Sequence, residues 1–150
     1  MSDRPTAQEI GRWAARLALA AVFLYAAVPK IADPAGFAKS IFNYQLLPDA
    51  AINLLALFLP WLELLTAVAL LAVPRLRRGA LLLLGGMLIV FILAISSAML
   101  RGLNIDCGCF STGGTGTRAA LPHLLLDIVL LIVAGWLWKS EDGRRTTEDG

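Results

Sequence analysis

Apolar residues run in four long blocks along the chain, approximately Trp13–Ala32, Ala51–Val73, Gly79–Leu100 and Leu121–Trp138. Each block can span about 30 Å of hydrocarbon at roughly 1.5 Å per helical residue. Helix is the element that fits, because lipid offers no partners to backbone N–H and C=O groups and a helix satisfies them internally. Together the blocks use more than half of the 150 residues, which leaves no room for a separate soluble domain. The pattern predicts an all-α fold, a four-helix transmembrane bundle over residues 13–138. Polar stretches at 1–12 and 139–150 read as frayed cytoplasmic tails.

The connection Asp33–Pro48 carries its own helical pattern. Asp33 is placed to cap a helix with Pro34 at its first position, where proline loses no needed donor, and Pro48 marks its end. Phe37, Ile41 and Tyr44 fall at i, i+4 and i+7, an apolar stripe on a short helix over Pro34–Leu47. Such a helix either lies flat on the outer membrane surface, apolar side down, or packs on the bundle as a lid.

The first block also resembles a signal peptide, with Arg4, Arg12 and Arg16 ahead of the apolar run Leu17–Val28. The run ends in Pro29-Lys30, and Tyr25-Ala26-Ala27 fits a cleavage site only in part. The expectation is a retained transmembrane helix.

Composition supports a lipid-embedded chain. Hydrophobic residues make up 58%, charged residues 16%, and mean hydropathy is +0.73, whereas soluble domains average about 25% charged. A net charge of +2 is too small to point to nucleic acid. The placement of Lys and Arg is more useful, because they concentrate on the cytoplasmic side. With the N-terminus inside, the inner segments hold nine (Arg4, Arg12, Arg16, Arg75, Arg77, Arg78, Lys139, Arg144, Arg145). The outer segments hold four (Lys30, Lys39, Arg101, Arg118). Both termini are thus expected in the cytoplasm of a bacterium, with the third and fourth spans joined on the periplasmic side of the inner membrane.

Ionisable side chains inside a membrane are expensive and call for an explanation one by one. Glu63 lies near the middle of the second span, just after Pro60-Trp61, where proline frees a carbonyl and kinks the helix. His123 and Asp127 are i, i+4 on the fourth span and share a face. Lys30 ends the first span, and Ser96 and Ser97 fall late in the third. All of these except the midplane Glu63 lie in the outer half, as a small cavity reaching inward from the outer surface would require. The structural alternatives are a Lys30–Glu63 ion pair, a snorkelling Lys30, and a His123–Asp127 hydrogen bond that fixes the helix.

The outer loop between the third and fourth spans holds the chain's only two cysteines, Cys107 and Cys109, separated by Gly108. Residues two apart have Cα atoms within roughly 5.5–7 Å, which overlaps the disulfide range. A ring this small is strained and labile, which suits exchange better than stapling. Dithiol–disulfide exchange is the leading reading, ahead of metal binding and of inert thiols. Two thiolates and the single His123 are too few for a closed tetrahedral zinc site, so no metal site is assigned. Asp106 would act as a local base or cap the turn. With a single cysteine pair, the protein must meet both its protein partner and any membrane acceptor there. A quinone is the candidate acceptor, with Glu63, Lys30, His123 and Asp127 lining its cavity and relaying protons.

Several motifs together resemble one family. They are Pro29-Lys30-Ile31-Ala32-Asp33-Pro34, Phe37-Ala38, Asn43-Tyr44-Gln45-Leu46-Leu47-Pro48, Leu59-Pro60-Trp61-Leu62-Glu63-Leu64 and, most tellingly, Asp106-Cys107-Gly108-Cys109-Phe110. Over about residues 13–138 the chain is similar to the MauE family, within the wider DoxX-like group of four-helix membrane proteins. The resemblance implies thiol–disulfide processing outside the cytoplasm, with a periplasmic thioredoxin-like partner. It also implies a disulfide-containing client such as the small subunit of methylamine dehydrogenase. From a different class come a non-enzymatic membrane assembly factor and, more distantly, a small-solute or metal carrier.

Overall fold

The described residues form five α-helices, and four of these are long and apolar enough to cross a membrane. In the computed structural model, backbone is described for residues 6–103 and 117–148, and side chains for 6–103 and 121–142. Helix α1 covers Ala7–Ala32, α2 Pro34–Asn43, α3 Asp49–Ala72, α4 Arg77–Leu100 and α5 Thr117–Glu148. A 3-10 turn, Pro74–Leu76, joins α3 to α4. No strand occurs among the described residues. At roughly 1.5 Å per residue, the 24-residue α3 and α4 reach about 36 Å, enough to span a bilayer core.

The spans pack as a ring: α1 lies against α3 and α5, and α4 lies against the same two helices. The core draws on all four, with Leu19, Leu70, Leu84, Leu88 and Leu137 almost completely buried. Small residues share these contacts, among them Ala20 and Ala27 on α1, Ala56 and Ala67 on α3, and Ala134 on α5. Between helices in lipid, small side chains let backbones approach closely, which matters because hydrocarbon is as apolar as leucine. The outward faces carry Tyr25, Phe58, Leu65, Leu82, Val90, Leu93 and Ile132, all largely exposed on the bundle. Apolar residues inside and outside are what a multi-pass membrane bundle requires.

The helices run past the apolar blocks. Helix α1 starts at Ala7, because Thr6 and Glu9 close a capping box around its first turn. Helix α5 continues to Glu148. The polar stretches expected to fray are therefore helical from Ala7 onward and as far as Glu148, and cross-helix ion pairs hold the start of the second. Arg16, almost fully buried on α1, pairs with Glu141 of α5. Arg78 of α4 pairs with Asp142 and lies over the Trp138 ring. Trp13 takes Arg16 and Arg77 over its ring, at 5.5 and 5.4 Å from the centroid. The terminal end of the bundle is thus ringed with arginine and tryptophan.

At the other end, α2 begins at Pro34 as its sequence pattern predicts but ends at Asn43 rather than Leu47, because Gln45 turns into the left-handed region at φ 50°, which no α-helix continues. Asp33 caps it by accepting a 2.9 Å hydrogen bond from Gly36 N. A Cβ on residue 36 would come within 2.1 Å of the Asp33 carboxylate, so this tight cap requires glycine. Helix α2 packs on α3 and α1 with Phe37 buried beneath it, so the lid position holds rather than the flat one. Helix α4 ends in a Schellman motif: Leu103 N donates to Ala98 O, and Gly102 N to Met99 O. Gly102 has φ +67°, the left-handed conformation that glycine adopts at no steric cost.

Leu84 and Leu83 are neighbours on α4 with opposite surroundings, 0% and 50% exposed. Leu84→Ala is expected to lower stability by about 2–5 kcal/mol through the cavity it leaves. Leu83→Ala should fall within about 0.5 kcal/mol of the parent. Unfolding in mixed micelles by denaturing detergent measures both; equal losses would contradict the inward–outward assignment.

Candidate functional site

Three ionisable side chains meet inside the bundle near the α2 end: Lys30 of α1, Glu63 of α3 and Asp127 of α5. Their residues are 3%, 0% and 8% exposed. Lys30 Nζ donates to Glu63 Oε1 at 2.7 Å and to Oε2 at 2.9 Å, a forked ion pair. The ammonium also lies 5.1 Å from the Phe37 ring centroid and 5.3 Å from that of Phe91. A desolvated cation over aromatic faces gains about 2 kcal/mol or more, which helps offset its removal from water. A cavity of about 20 Å³ separates Asp127 from the pair, lined also by Val22, Phe23, Ala26, Leu88, Phe91 and Leu130. That volume suits a single water. Asp127 Oδ2 is buried there with no hydrogen-bond partner among the described residues.

Local sequence explains how the pair reaches this position. Lys30 follows Pro29, and Glu63 lies one turn after the buried Pro60. Each proline lacks an N–H and so removes one i→i−4 helical bond at its position. Thr66 adds to the polar inventory by donating from its hydroxyl to Leu62 O. In a lysine side chain, four methylenes carry the charge away from its backbone. Lys30 uses that reach to turn inward, instead of snorkelling outward to the interface.

The cluster has one ammonium for two carboxyl groups. Fully ionised it carries one net negative charge, and taking up a single proton brings it to neutrality. Of the residues singled out from sequence, the structure brings together Lys30, Glu63 and Asp127. His123, one turn earlier on α5 and half-buried, does not line the cavity. Ser96 is half-buried on α4, also away from it. Asp106, Cys107 and Cys109 lie outside the described residues.

A second, larger cavity went unforeseen. About 540 Å³ opens between α2, α3 and α4, walled by Phe37, Tyr44, Leu59, Phe91, Ala94, Ser97 and neighbouring apolar side chains. Phe91 borders both cavities. At the rim, Arg101 donates from its guanidinium to Tyr44 O and Gln45 O, tying the end of α4 to the end of α2. The apolar runs of α3 and α4 gave no sign of this space, which exists only because α2 folds back over them.

Breaking the pair on one side leaves a buried uncompensated charge, at a cost of about 3–5 kcal/mol. Lys30→Met and Glu63→Leu are each expected to destabilise by that amount, whereas the double variant should recover most of the loss. A double-mutant cycle on detergent unfolding measures the coupling. Additive losses would show that the two side chains do not depend on each other.

The comparisons with known proteins agree with one another. A family model described as methylamine utilisation protein MauE matches residues 8–140. The methylamine utilization protein MauE of Paracoccus denitrificans is 39% identical over 126 residues, covering 81% of this chain and 67% of the relative. Its counterpart from Methylophilus methylotrophus is 38% identical over 117 residues, 77% of this chain and 61% of the relative. That of Paracoccus versutus is 43% identical over 102 residues, 67% and 54% respectively. The matched stretches thus span about two thirds or less of these relatives' lengths. No solved structure matches the chain. Since the matched region runs from the first turn of α1 to Ser140 and takes in every span and the whole buried cluster, this chain belongs to the MauE family.

Proposed function

We propose that this protein is a membrane thiol–disulfide redox protein. In this reading Cys107 and Cys109 cycle between dithiol and disulfide, and exchange with a periplasmic thioredoxin-like partner that matures a client's disulfides. The observation that carries it is the Cys-Gly-Cys tripeptide itself. The chain's only two cysteines stand one residue apart, in the connection between α4 and α5. A staple there would close almost no loop and so stabilise little, whereas a small strained ring exchanges readily. Asp106, next in sequence to Cys107, would accept the thiol proton. The relatives' name carries over as a role in methylamine utilisation, with the small subunit of methylamine dehydrogenase as the client type.

Orientation follows from charge. The terminal end carries Arg12, Arg16, Arg77 and Arg78 together with Trp13 and Trp138, a basic and aromatic belt of the kind found at the cytoplasmic interface. The cysteine connection then faces the periplasm, where disulfides persist.

Cys109→Ser should trap a mixed disulfide with the partner through Cys107, or Cys107→Ser through Cys109, visible on non-reducing gels and identifiable by mass spectrometry. Full client maturation in the Cys107→Ser/Cys109→Ser variant would instead establish a non-enzymatic assembly factor. For orientation, a membrane-impermeant maleimide added to intact spheroplasts should label the reduced cysteines before lysis. Labelling only after lysis would reverse the topology.

A further inference from the structure

The larger cavity has features that a lipid-facing crevice does not need. Its walls bring three aromatic rings, Phe37, Tyr44 and Phe91, to one space of about 540 Å³. That lies within the roughly 300–1,000 Å³ of small-molecule sites. Aromatic rings favour a flat ring as partner through offset or edge contacts. Ser97 adds a hydroxyl to an otherwise apolar wall. Directly behind two of these rings stands the Lys30 ammonium, within 5.3 Å of both centroids. Phe91 is the partition, since it lines this cavity and the small one that Lys30, Glu63 and Asp127 reach.

We propose that the α2–α3–α4 pocket binds a lipid-soluble quinone, its ring between Phe37, Tyr44 and Phe91 and its apolar tail leaving toward lipid. The proposal rests on the redox reading for its electron donor. A phospholipid acyl chain would fill the same apolar volume, but it would leave the aromatic walls and the neighbouring ionisable cluster without a purpose. A quinone uses both. Its ring takes the aromatic faces, and its reduction consumes protons beside a group of buried side chains able to exchange them.

The chemistry balances without a further reactant. The thiols of Cys107 and Cys109 lose two electrons and two protons as their S–S bond forms. The quinone's two carbonyl oxygens receive them and become the hydroxyls of the quinol. Position favours the coupling. Arg101, which ties α4 to the pocket rim at Tyr44 and Gln45, lies six residues before Cys107. Six residues reach at most about 20 Å, which sets an upper bound on the distance from Arg101 to Cys107. Lys30, Glu63 and Asp127 are then positioning and proton-exchanging groups behind the ring, not its lining.

The test uses the full chain in phosphatidylcholine nanodiscs, with both cysteines replaced by serine so that binding is read apart from thiol chemistry. A photoreactive azidoquinone should label peptides of α2, α3 and α4, and excess decylubiquinone should suppress the label. Ala94→Trp, which fills the pocket, should reduce labelling at least tenfold, and Ser97→Ala, which leaves packing intact, about threefold. Label spread over the outward faces of all spans, no loss in either variant, or equal suppression by oleate would overturn the proposal; the last identifies an acyl-chain slot. In the parent chain, reduced and anaerobic, decylubiquinone should remove two thiols per quinol formed. Specific labelling without thiol loss would leave the quinone site standing and overturn the electron step. A trapped mixed disulfide without specific labelling would overturn the quinone site alone.

Discussion

A lysine ammonium and a glutamate carboxylate placed separately in hydrocarbon would each cost several kcal/mol, so a membrane bundle that contains both must bring them together. In this chain they lie 33 residues apart, on α1 and α3, and both are almost completely buried. Their forked contact fixes how α1 and α3 pack, because either helix turned about its axis would expose a charge to lipid. Leucine contacts cannot impose that rotation, since lipid tails are as apolar as leucine. The ion pair thus sets the orientation around which the small-residue contacts of Ala20, Ala27, Ala56 and Ala67 are made.

The rest of the α2 end builds on that pair. Phe37 covers the ammonium from above, which brings α2 onto the bundle and closes the pocket against α3 and α4. Phe91 completes the enclosure from α4, and Asp127 from α5 adds a second carboxyl. Every helix of the bundle therefore contributes a side chain at or beside the ammonium. The opposite end is held differently, by Arg16–Glu141 and Arg78–Asp142 pairs and by arginines over Trp13 and Trp138. One end is a wet, basic anchor. The other is a buried ionisable cluster beneath a lid.

Much of this was legible along the chain, for identifiable reasons. The four spans followed from block length alone, because hydrocarbon thickness sets a minimum that few other structures meet. Helix α2 followed from Asp33-Pro34, Pro48 and the Phe37–Ile41–Tyr44 stripe, although the stripe could not say which surface it covers. Lys30 and Glu63 stood out as costly charges, and their pairing was one of the alternatives the sequence allowed. Sequence spacing paired Asp127 with His123, four residues away on its own helix. The fold adds what the spacing could not show, that Asp127 lines a cavity shared with α1 and α3 and that His123 is not part of that lining. Helical spacing reports which side chains share a face, and not what that face meets.

What the sequence determined by itself is the class of molecule. It specifies a four-span helical membrane protein, its family motifs, a two-cysteine tripeptide in the α4–α5 connection, and ionisable groups too deep to be incidental. These properties are local or compositional, so they survive without any knowledge of who packs against whom. Tertiary structure decided the rest: the convergence of Lys30, Glu63 and Asp127, the aromatic wall of Phe37 and Phe91, the pocket under α2, and the Arg101 clamp at its rim. Each joins residues from different helices, and most residues on those helices are equally apolar. Apolar sequence is nearly silent about helix rotation and neighbour choice, and the few polar side chains settle both only once the bundle has closed around them.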